Sequence, residues 1–149
     1  MPIVEALREC GKPLSIDTYK PEVMRRALQA GADIINDVQA LQRPGALEAV
    51  AASEAGVCLM HMRGEPATMA QLTDYEDVVG EVARFLDERA AAVQGSGVAR
   101  ERIVLDPGYG FAKTAAQNLA LLAQQRALLA SGYPLLAGWS RKRTLGEIT

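Results

Sequence analysis

Five short apolar runs in the sequence each end on, or lead directly into, a polar side chain. An acid, an amide, a histidine, a second acid and a serine stand at these ends, as Asp17, Asn36, His61, Asp106 and Ser140. An active site assembled from the ends of many strands is the arrangement found in parallel barrels. If the runs are strands, the sequence predicts a functional site where their ends meet.

The segment from Asp106 to Phe111 carries the most specific chemistry. An acid is followed by Pro107, two glycines and an aromatic residue at the tip of a tight loop. Glycine lets the backbone approach a planar ligand closely, and a carboxylate beside such a loop can accept two parallel N–H bonds from an amidine-like or guanidine-like ring edge. The alternative is an Asp-Pro-Gly turn that Asp106 merely caps.

Asp17 and Asn36 each follow β-branched apolar residues, so each needs a polar partner where it leaves a buried strand. The alternative role is local. Asp17 or Thr18 would cap a helix that begins near Pro21, and Asn36 or its neighbour would close a turn. The sequence leaves both interpretations open.

A run of cations and the single histidine complete the candidates. The segment Ser140 to Arg143 holds a hydroxyl and three cations, which at the top of a barrel would contact an anion or a ring carbonyl. Alternatively, Arg141 and Arg143 are solvated residues at a helix start. His61 has no nearby Cys or carboxylate ligand pair, so we predict a structural histidine rather than a metal ligand. Met60 would line a cavity as soft filler.

The elements that must position these residues are short strands separated by helices. The apolar runs are too short for helices and are bounded by Gly, Pro or charged residues, which is typical of parallel strands buried on both faces. Apolar spacing, an early Pro and terminal Gly predict the helices. We predict strands at 14–17, 34–37, 57–62, 103–106 and 135–139, and helices at 21–30, 45–55, 75–94 and 114–131.

This alternation allows a doubly wound sheet or a (β/α)₈ barrel. The chain has neither a G-x-G-x-x-G turn nor a P-loop, and a polar residue stands at the end of every predicted strand, so a barrel is favoured. A whole barrel needs eight strands and roughly 200–250 residues, whereas this chain has 149. We therefore predict an α/β fold, a partial (β/α)₈ TIM barrel forming one domain over 1–149, truncated at both termini.

Composition excludes several classes of protein. Apolar residues make up 49 % and charged residues 23 %, which argues against intrinsic disorder, and a formal net charge of −2 gives no footprint for nucleic acid. Cys10 and Cys58 match no metal spacing or disulfide framework, which favours a reducing, cytoplasmic setting. No secretory signal or apolar run long enough for a membrane is present, so we expect neither membrane nor nucleic-acid partners.

The motifs, taken in order, resemble those of the dihydropteroate synthase family of folate biosynthesis. The matching segments are 15–18, 31–37, 44–46, 59–64, 106–111 and 138–142. The resemblance implies a TIM barrel, of which this chain would hold approximately strands three to seven. It also implies a transferase that condenses 6-hydroxymethyl-7,8-dihydropterin diphosphate with 4-aminobenzoate to give 7,8-dihydropteroate and diphosphate.

The resemblance assigns roles to individual positions. Asp17 and Lys142 would be catalytic, and Asp17 would stabilise the positive charge that develops on the pterin methylene as diphosphate leaves. Catalysis would then depend on positioning and electrostatics, without a protein nucleophile. The pterin-binding positions would be Asp17, Asn36, Met60, Asp106, Phe111, Gly138 and Lys142, and the aminobenzoate-binding positions would be Phe111, Ser140 and Lys142.

Other implications of the resemblance lie outside the chain. The family's Mg²⁺ ligand would belong to a missing N-terminal segment, so no residue here is expected to bind the metal, and the chain alone is expected to have little or no activity. Full-length members are homodimers and sulfonamide targets. One departure is Ala112-Lys113, where the family often has Gly-Lys. The alternatives are another pterin-binding barrel, such as a methyltetrahydrofolate-dependent methyltransferase, or a non-catalytic pterin-binding fragment.

Overall fold

The computed structural model describes residues 2–65 and 67–148. Its core is a four-stranded parallel sheet in which each strand pairs with its neighbour in sequence. This order never reverses, so the sheet has the winding of a barrel and lacks the switch point of a doubly wound fold. The predicted α/β class is confirmed. The strands are β1 (Ser15–Asp17), β2 (Ile34–Asp37), β3 (Gly56–Met60) and β4 (Ile103–Asp106).

Seven α-helices are seen in the described residues, and the longer ones pack on one side of the sheet. They are α1 (Pro2–Leu7), α2 (Pro21–Gln29), α3 (Ala46–Ala51), α4 (Val78–Gly95), α5 (Ala115–Ala123), α6 (Gln125–Leu129) and α7 (Arg143–Ile148). Single 3₁₀ turns occur at Met69–Gln71 and Arg100–Arg102. None of the described helices is both long and apolar enough to cross a membrane.

Capping by side chains explains where α4 and α5 begin. The Asp77 carboxylate accepts from the Gly80 N–H at the start of α4, and Thr114 and Gln117 form a reciprocal capping box at the start of α5. The predicted single helix over 114–131 is wrong, because Gln124, with φ −109° and ψ 25°, leaves the helical conformation and separates α5 from α6.

The two faces of the sheet differ in chemistry because successive residues of a strand point to opposite sides. The face that the helices cover is apolar. It carries Ile35, Val57, Leu59, Ile103 and Leu105, each at most 1 % exposed.

The opposite face carries the polar strand ends. Asp17 pairs in register with Asn36, and Asn36 pairs with Cys58. Ile34 and Val104 on this face are only partly buried. The prediction that the strands are buried on both faces is confirmed for β3, whose Cys58 and Met60 on this side are each 3 % exposed. It is wrong for the edge strand β1, where Asp17 is exposed, because the helices of the described residues cover only the other face.

The predicted fifth strand is reduced to a single bridge. Leu135 lies beside Leu105 in parallel, where the Leu136 N–H donates to the Leu105 carbonyl at 2.8 Å. Pairing stops there, and the Trp139 N–H turns back to donate to the Ala137 carbonyl at 3.2 Å. The segment still lies next to β4, so the sequential order of the sheet continues through it.

Replacing Leu59 by Ala should lower the free energy of unfolding by about 2–5 kcal/mol, because it empties the centre of the helix-covered face. Leu122→Ala, the same change at an exposed helix position, should stay within about 0.5 kcal/mol. Urea unfolding followed by circular dichroism measures both. Equal effects at the two positions would contradict this assignment of the core.

Candidate functional site

Asp17 and Asn36 contact each other on the open face of the sheet. The Asn36 Nδ2 donates to the Asp17 Oδ2 at 3.3 Å. The Asn36 Oδ1 is buried, and no hydrogen-bond donor reaches it from the part of the chain that the structure describes. An amide acceptor in this condition is costly unless a further group supplies a donor.

The local roles considered for these two residues fall to their neighbours. The residue preceding α2 is Lys20, and no side chain caps that helix, so Asp17 is not a cap. The Thr18 Oγ1 accepts from the Lys20 N–H at 3.1 Å. Asp37, pointing to the other face, closes the turn by accepting from the Gln39 and Leu41 N–H groups at 2.8 and 2.9 Å. Asp17 and Asn36 therefore take no part in capping α2 or closing the turn, and both lie on the open face.

Asp106 stands at the end of β4, opposite Met60 of β3. One of its oxygens accepts from the Gly108 N–H at 2.7 Å, so the turn interpretation holds for that oxygen. Burial raises the pKa of the Asp106 carboxyl, while the Gly108 hydrogen bond and the charges of Lys142 and Lys113 oppose the rise. The acid is thus desolvated and lies in a positive field that favours its ionised form.

Glycine at position 108 allows the loop to press against the end of β3. Its φ is +70°, and a Cβ atom there would lie 2.0 Å from the His61 carbonyl oxygen. This close approach fixes the height of the loop above the sheet.

Lys142 reaches the same loop from the connection that precedes α7. Its Nζ lies 4.0 Å from the centre of the Phe111 ring, a cation–π contact. Gly110 makes room for it, because a Cβ at that position would lie 2.9 Å from the Lys142 Cδ. Burial lowers the pKa of the Lys142 amine, and the Asp106 charge acts in the opposite direction. The cation therefore lies within the electrostatic reach of the acid.

Cys58 lies within the electrostatic reach of both Asp17 and Asp106. Burial raises the pKa of the Cys58 thiol to about 12, and the charges of Asp106 and Asp17 add to the rise. Carboxylates three strands apart in sequence order thus act on one thiol. Sequence reasoning gave Cys58 no role, although it stands two residues before Met60 and so shares the face of the strand ends.

The remaining predicted positions lie around this centre. Met60 is buried beneath the loop, and Phe111 forms the rim on which Lys142 rests. Gly138 and Ser140 precede Lys142 on the same connection, where Ser140 is exposed in a turn. Their binding roles stay predictions.

His61 has the structural role predicted for it. It is buried, its Nδ1 lies 3.0 Å from the Lys113 Nζ, and its ring meets Phe85 edge to face at 4.9 Å. Burial, with the charges of Lys113 and Arg63, lowers the pKa of His61 to about 3. Its partner Lys113 was missed as a site residue, because only the fold brings the two together.

One cavity lies beside this centre and is not lined by Asp17, Asn36 or Asp106. It measures about 810 Å³ and lies between the connections that follow β2 and β3, where Arg43, Arg63 and Glu81 line it. A second, of about 660 Å³, has a basic wall of Lys113, Arg141, Lys142 and Arg143. Asp17, Asn36 and Asp106 lie outside both cavities, on the open face of the sheet, whereas His61 lines the first cavity and Lys142 the second.

The two cysteines should differ sharply in reactivity. The thiolate is the reactive form, and Cys58 is buried with its pKa raised to about 12, whereas Cys10 is exposed. A chromogenic disulfide reagent at pH 8 should therefore modify one thiol per native chain, and peptide mass mapping should place it on Cys10. Urea should release the second thiol. Fast native labelling of Cys58 would contradict the geometry described.

Comparison with known proteins agrees with this arrangement. A family model described as "Pterin binding enzyme" matches residues 1–149. The dihydropteroate synthase of Synechocystis sp. is 49 % identical over 150 residues, covering 99 % of this chain and 52 % of that protein. The chain spans about half the length of the curated relatives it matches.

Solved structures give the same answer. The Xanthomonas albilineans dihydropteroate synthase with 4-aminobenzoic acid has a TM-score of 0.91 at 51 % identity, covering 99 % of this chain and 52 % of its own. The Thermus thermophilus enzyme in complex with 6HMPPP has a TM-score of 0.94 at 43 % identity, covering 99 % and 58 %. The resemblance to dihydropteroate synthases and the partial barrel are confirmed, and the chain belongs to the family of pterin-binding enzymes.

Proposed function

We propose that the chain is the pterin-binding part of a dihydropteroate synthase, which condenses 6-hydroxymethyl-7,8-dihydropterin diphosphate with 4-aminobenzoate. The observation that carries the proposal is the grouping of Asp17, Asn36 and Asp106 on one face of the sheet, with Lys142 beside them. Relatives with solved structures are described in complex with 6HMPPP and with 4-aminobenzoic acid.

The polar groups suit the edge of a pterin. The 2-amino-4-oxo edge presents N–H donors beside a carbonyl and ring-nitrogen acceptors. Asp106 offers a carboxylate to the donors, and Lys142 offers an ammonium to the carbonyl. Asn36 holds a buried acceptor for which the described residues provide no donor, and a ring N–H would supply one.

The chief contribution of the protein to this reaction would be electrostatic stabilisation of the charge that develops on the pterin. Departure of diphosphate leaves positive charge on the pterin methylene and ring, and the Asp17 carboxylate on the open face would stabilise it. Asp106 and Asn36 hold the ring in one orientation for attack by the amine of 4-aminobenzoate. Phe111, Ser140 and the stem of Lys142 would border that second substrate.

Magnesium finds no site of its own here. Within 2–65 and 67–148, no three His, Cys, Asp or Glu side chains are grouped so as to hold a metal ion. Magnesium, homodimerisation and sulfonamide sensitivity stay predictions of the family resemblance, and a cytoplasmic location stays a prediction from cysteine usage.

The chain should bind 6-hydroxymethylpterin, and Asp106→Asn should weaken this binding about 10- to 100-fold, because a charge-assisted pair is worth about 1.5–3 kcal/mol. Quenching of pterin fluorescence measures the dissociation constant. Asp87→Asn removes an exposed acid of α4 and serves as the matched control. Equal affinities for all three proteins would contradict the proposed site.

Order of binding separates a synthase from a methyltetrahydrofolate-dependent methyltransferase. A synthase-like site should take the pterin alone and 4-aminobenzoate only when diphosphate is also present. A methyltransferase-like site should ignore 4-aminobenzoate under all conditions. Isothermal titration in both orders gives the answer.

The chain by itself should release little or no diphosphate, because it spans about half the length of the synthases it matches, and the residues assigned here serve to hold the pterin. A coupled phosphate assay with both substrates measures this release. Turnover comparable to that of a full-length synthase would refute the expectation.

A further inference from the structure

Lys113 is a buried cation that donates hydrogen bonds to the β4–α5 loop and to the end of β3. It is 8 % exposed. Its Nζ lies 3.0 Å from the His61 Nδ1, 3.0 Å from the Gly108 carbonyl oxygen and 2.9 Å from the Phe111 carbonyl oxygen. The His61 carbonyl oxygen lies farther away, at 3.4 Å, so the three donors of the ammonium face four acceptors.

The contact with His61 couples the protonation states of the two groups. When Lys113 is protonated it donates to Nδ1, so that nitrogen carries a lone pair and the neutral imidazole holds its proton on Nε2. The lowered pKa of His61, about 3, agrees with a neutral ring. His61 is held in turn by the edge of Phe85, so Lys113 is anchored to a rigid point at the end of β3.

The same ammonium orients two residues of the proposed pterin site through their backbone. Gly108 accepts from Lys113 at its carbonyl and donates from its N–H, which belongs to the preceding peptide group, to the Asp106 carboxylate. Phe111 accepts from Lys113 at its carbonyl and carries the ring that supports Lys142. The Lys113 charge also favours the ionised form of Asp106.

This arrangement is poorly suited to stability alone. Burial lowers the pKa of Lys113 from 10.5 to about 7, with the charges of Arg63 and Lys142 adding to the fall and that of Asp106 opposing it. Between these two values the unfolded chain binds more protons, so the free energy of unfolding rises with pH across that window. At neutral pH the desolvation of the buried ammonium therefore costs stability.

We propose that Lys113 is a positioning residue of the pterin site, which ties the β4–α5 loop to His61 and thereby sets the orientation of the Asp106 carboxylate and the Phe111 ring. The proposal rests on the proposed function, since it assumes that a pterin is the ligand these residues receive. Lys113 itself does not touch the ligand in this role.

Because the chain has a single histidine, NMR can follow the contact between Lys113 and His61 directly. With ring-¹⁵N histidine, NMR of the 149-residue chain should show one neutral Nε2–H imidazole. Lys113→Met and Lys113→Gln should each shift the Nδ1 signal and raise the pKa of His61 toward its ordinary value. Lys12→Met, at an exposed lysine, is the control and should change neither.

Binding of 6-hydroxymethylpterin tests the consequence. Both Lys113 variants should weaken it about tenfold, and Lys113→Met should cost much less in an Asp106→Asn background, because the effect passes through that carboxylate. Three results would each overturn the positioning role of Lys113. They are folded Lys113 variants with unchanged affinity for the pterin, losses of affinity that are additive between Lys113→Met and Asp106→Asn, and a His61 Nδ1 signal that does not move. So would unfolding of both variants, since Lys113 would then hold the chain together rather than the site.

The two proposals fail in different ways. If the unaltered chain does not bind 6-hydroxymethylpterin, the proposed function is overturned, whatever the His61 signal shows. If the unaltered chain binds and the Lys113 variants bind equally well, only the positioning role is overturned.

Discussion

In-register parallel pairing is the constraint on which the site depends. Because side chains alternate along a strand, the pairing of Asp17 with Asn36 and of Asn36 with Cys58 places all three on the same face. A slip of one residue would send each polar group into the helix-covered core and bring Ile35 and Leu59 out. The apolar face, which is almost fully buried, therefore fixes the register, and the register brings the polar groups together.

Charge is distributed across this face so that no acid or cation stands alone. Burial raises the pKa of the Cys58 thiol, and the charges of Asp106 and Asp17 add to the rise. Lys142 approaches from the last connection, resting on Phe111, and its charge favours the ionised form of Asp106. The balance suits a ring that offers donors on one edge and a carbonyl beside them, because each protein group keeps a free side for a partner of opposite character.

The strand ends could be predicted from the sequence because β-branched residues followed by a single polar residue are a local signal. The helix over 21–30 could be predicted because Pro21 and Gly31 mark its limits. Three features could not be predicted in this way. The break at Gln124 has no Gly or Pro to mark it, and the fifth strand is limited to a bridge by pairing, which apolarity does not encode. The contact of Lys113 with His61 joins residues 52 positions apart.

Ala112 shows what holds the β4–α5 loop in shape. It is buried and has a φ of +51°, a conformation that glycine adopts freely and that strains a residue with a Cβ by about 1 kcal/mol. The family resemblance predicts glycine at this position. Here the carbonyl on its N-terminal side, that of Phe111, accepts from the Lys113 ammonium, and the Gly108 carbonyl accepts from the same group. The loop is thus over-determined by hydrogen bonds around one cation, which is the condition under which a strained residue persists at a binding site.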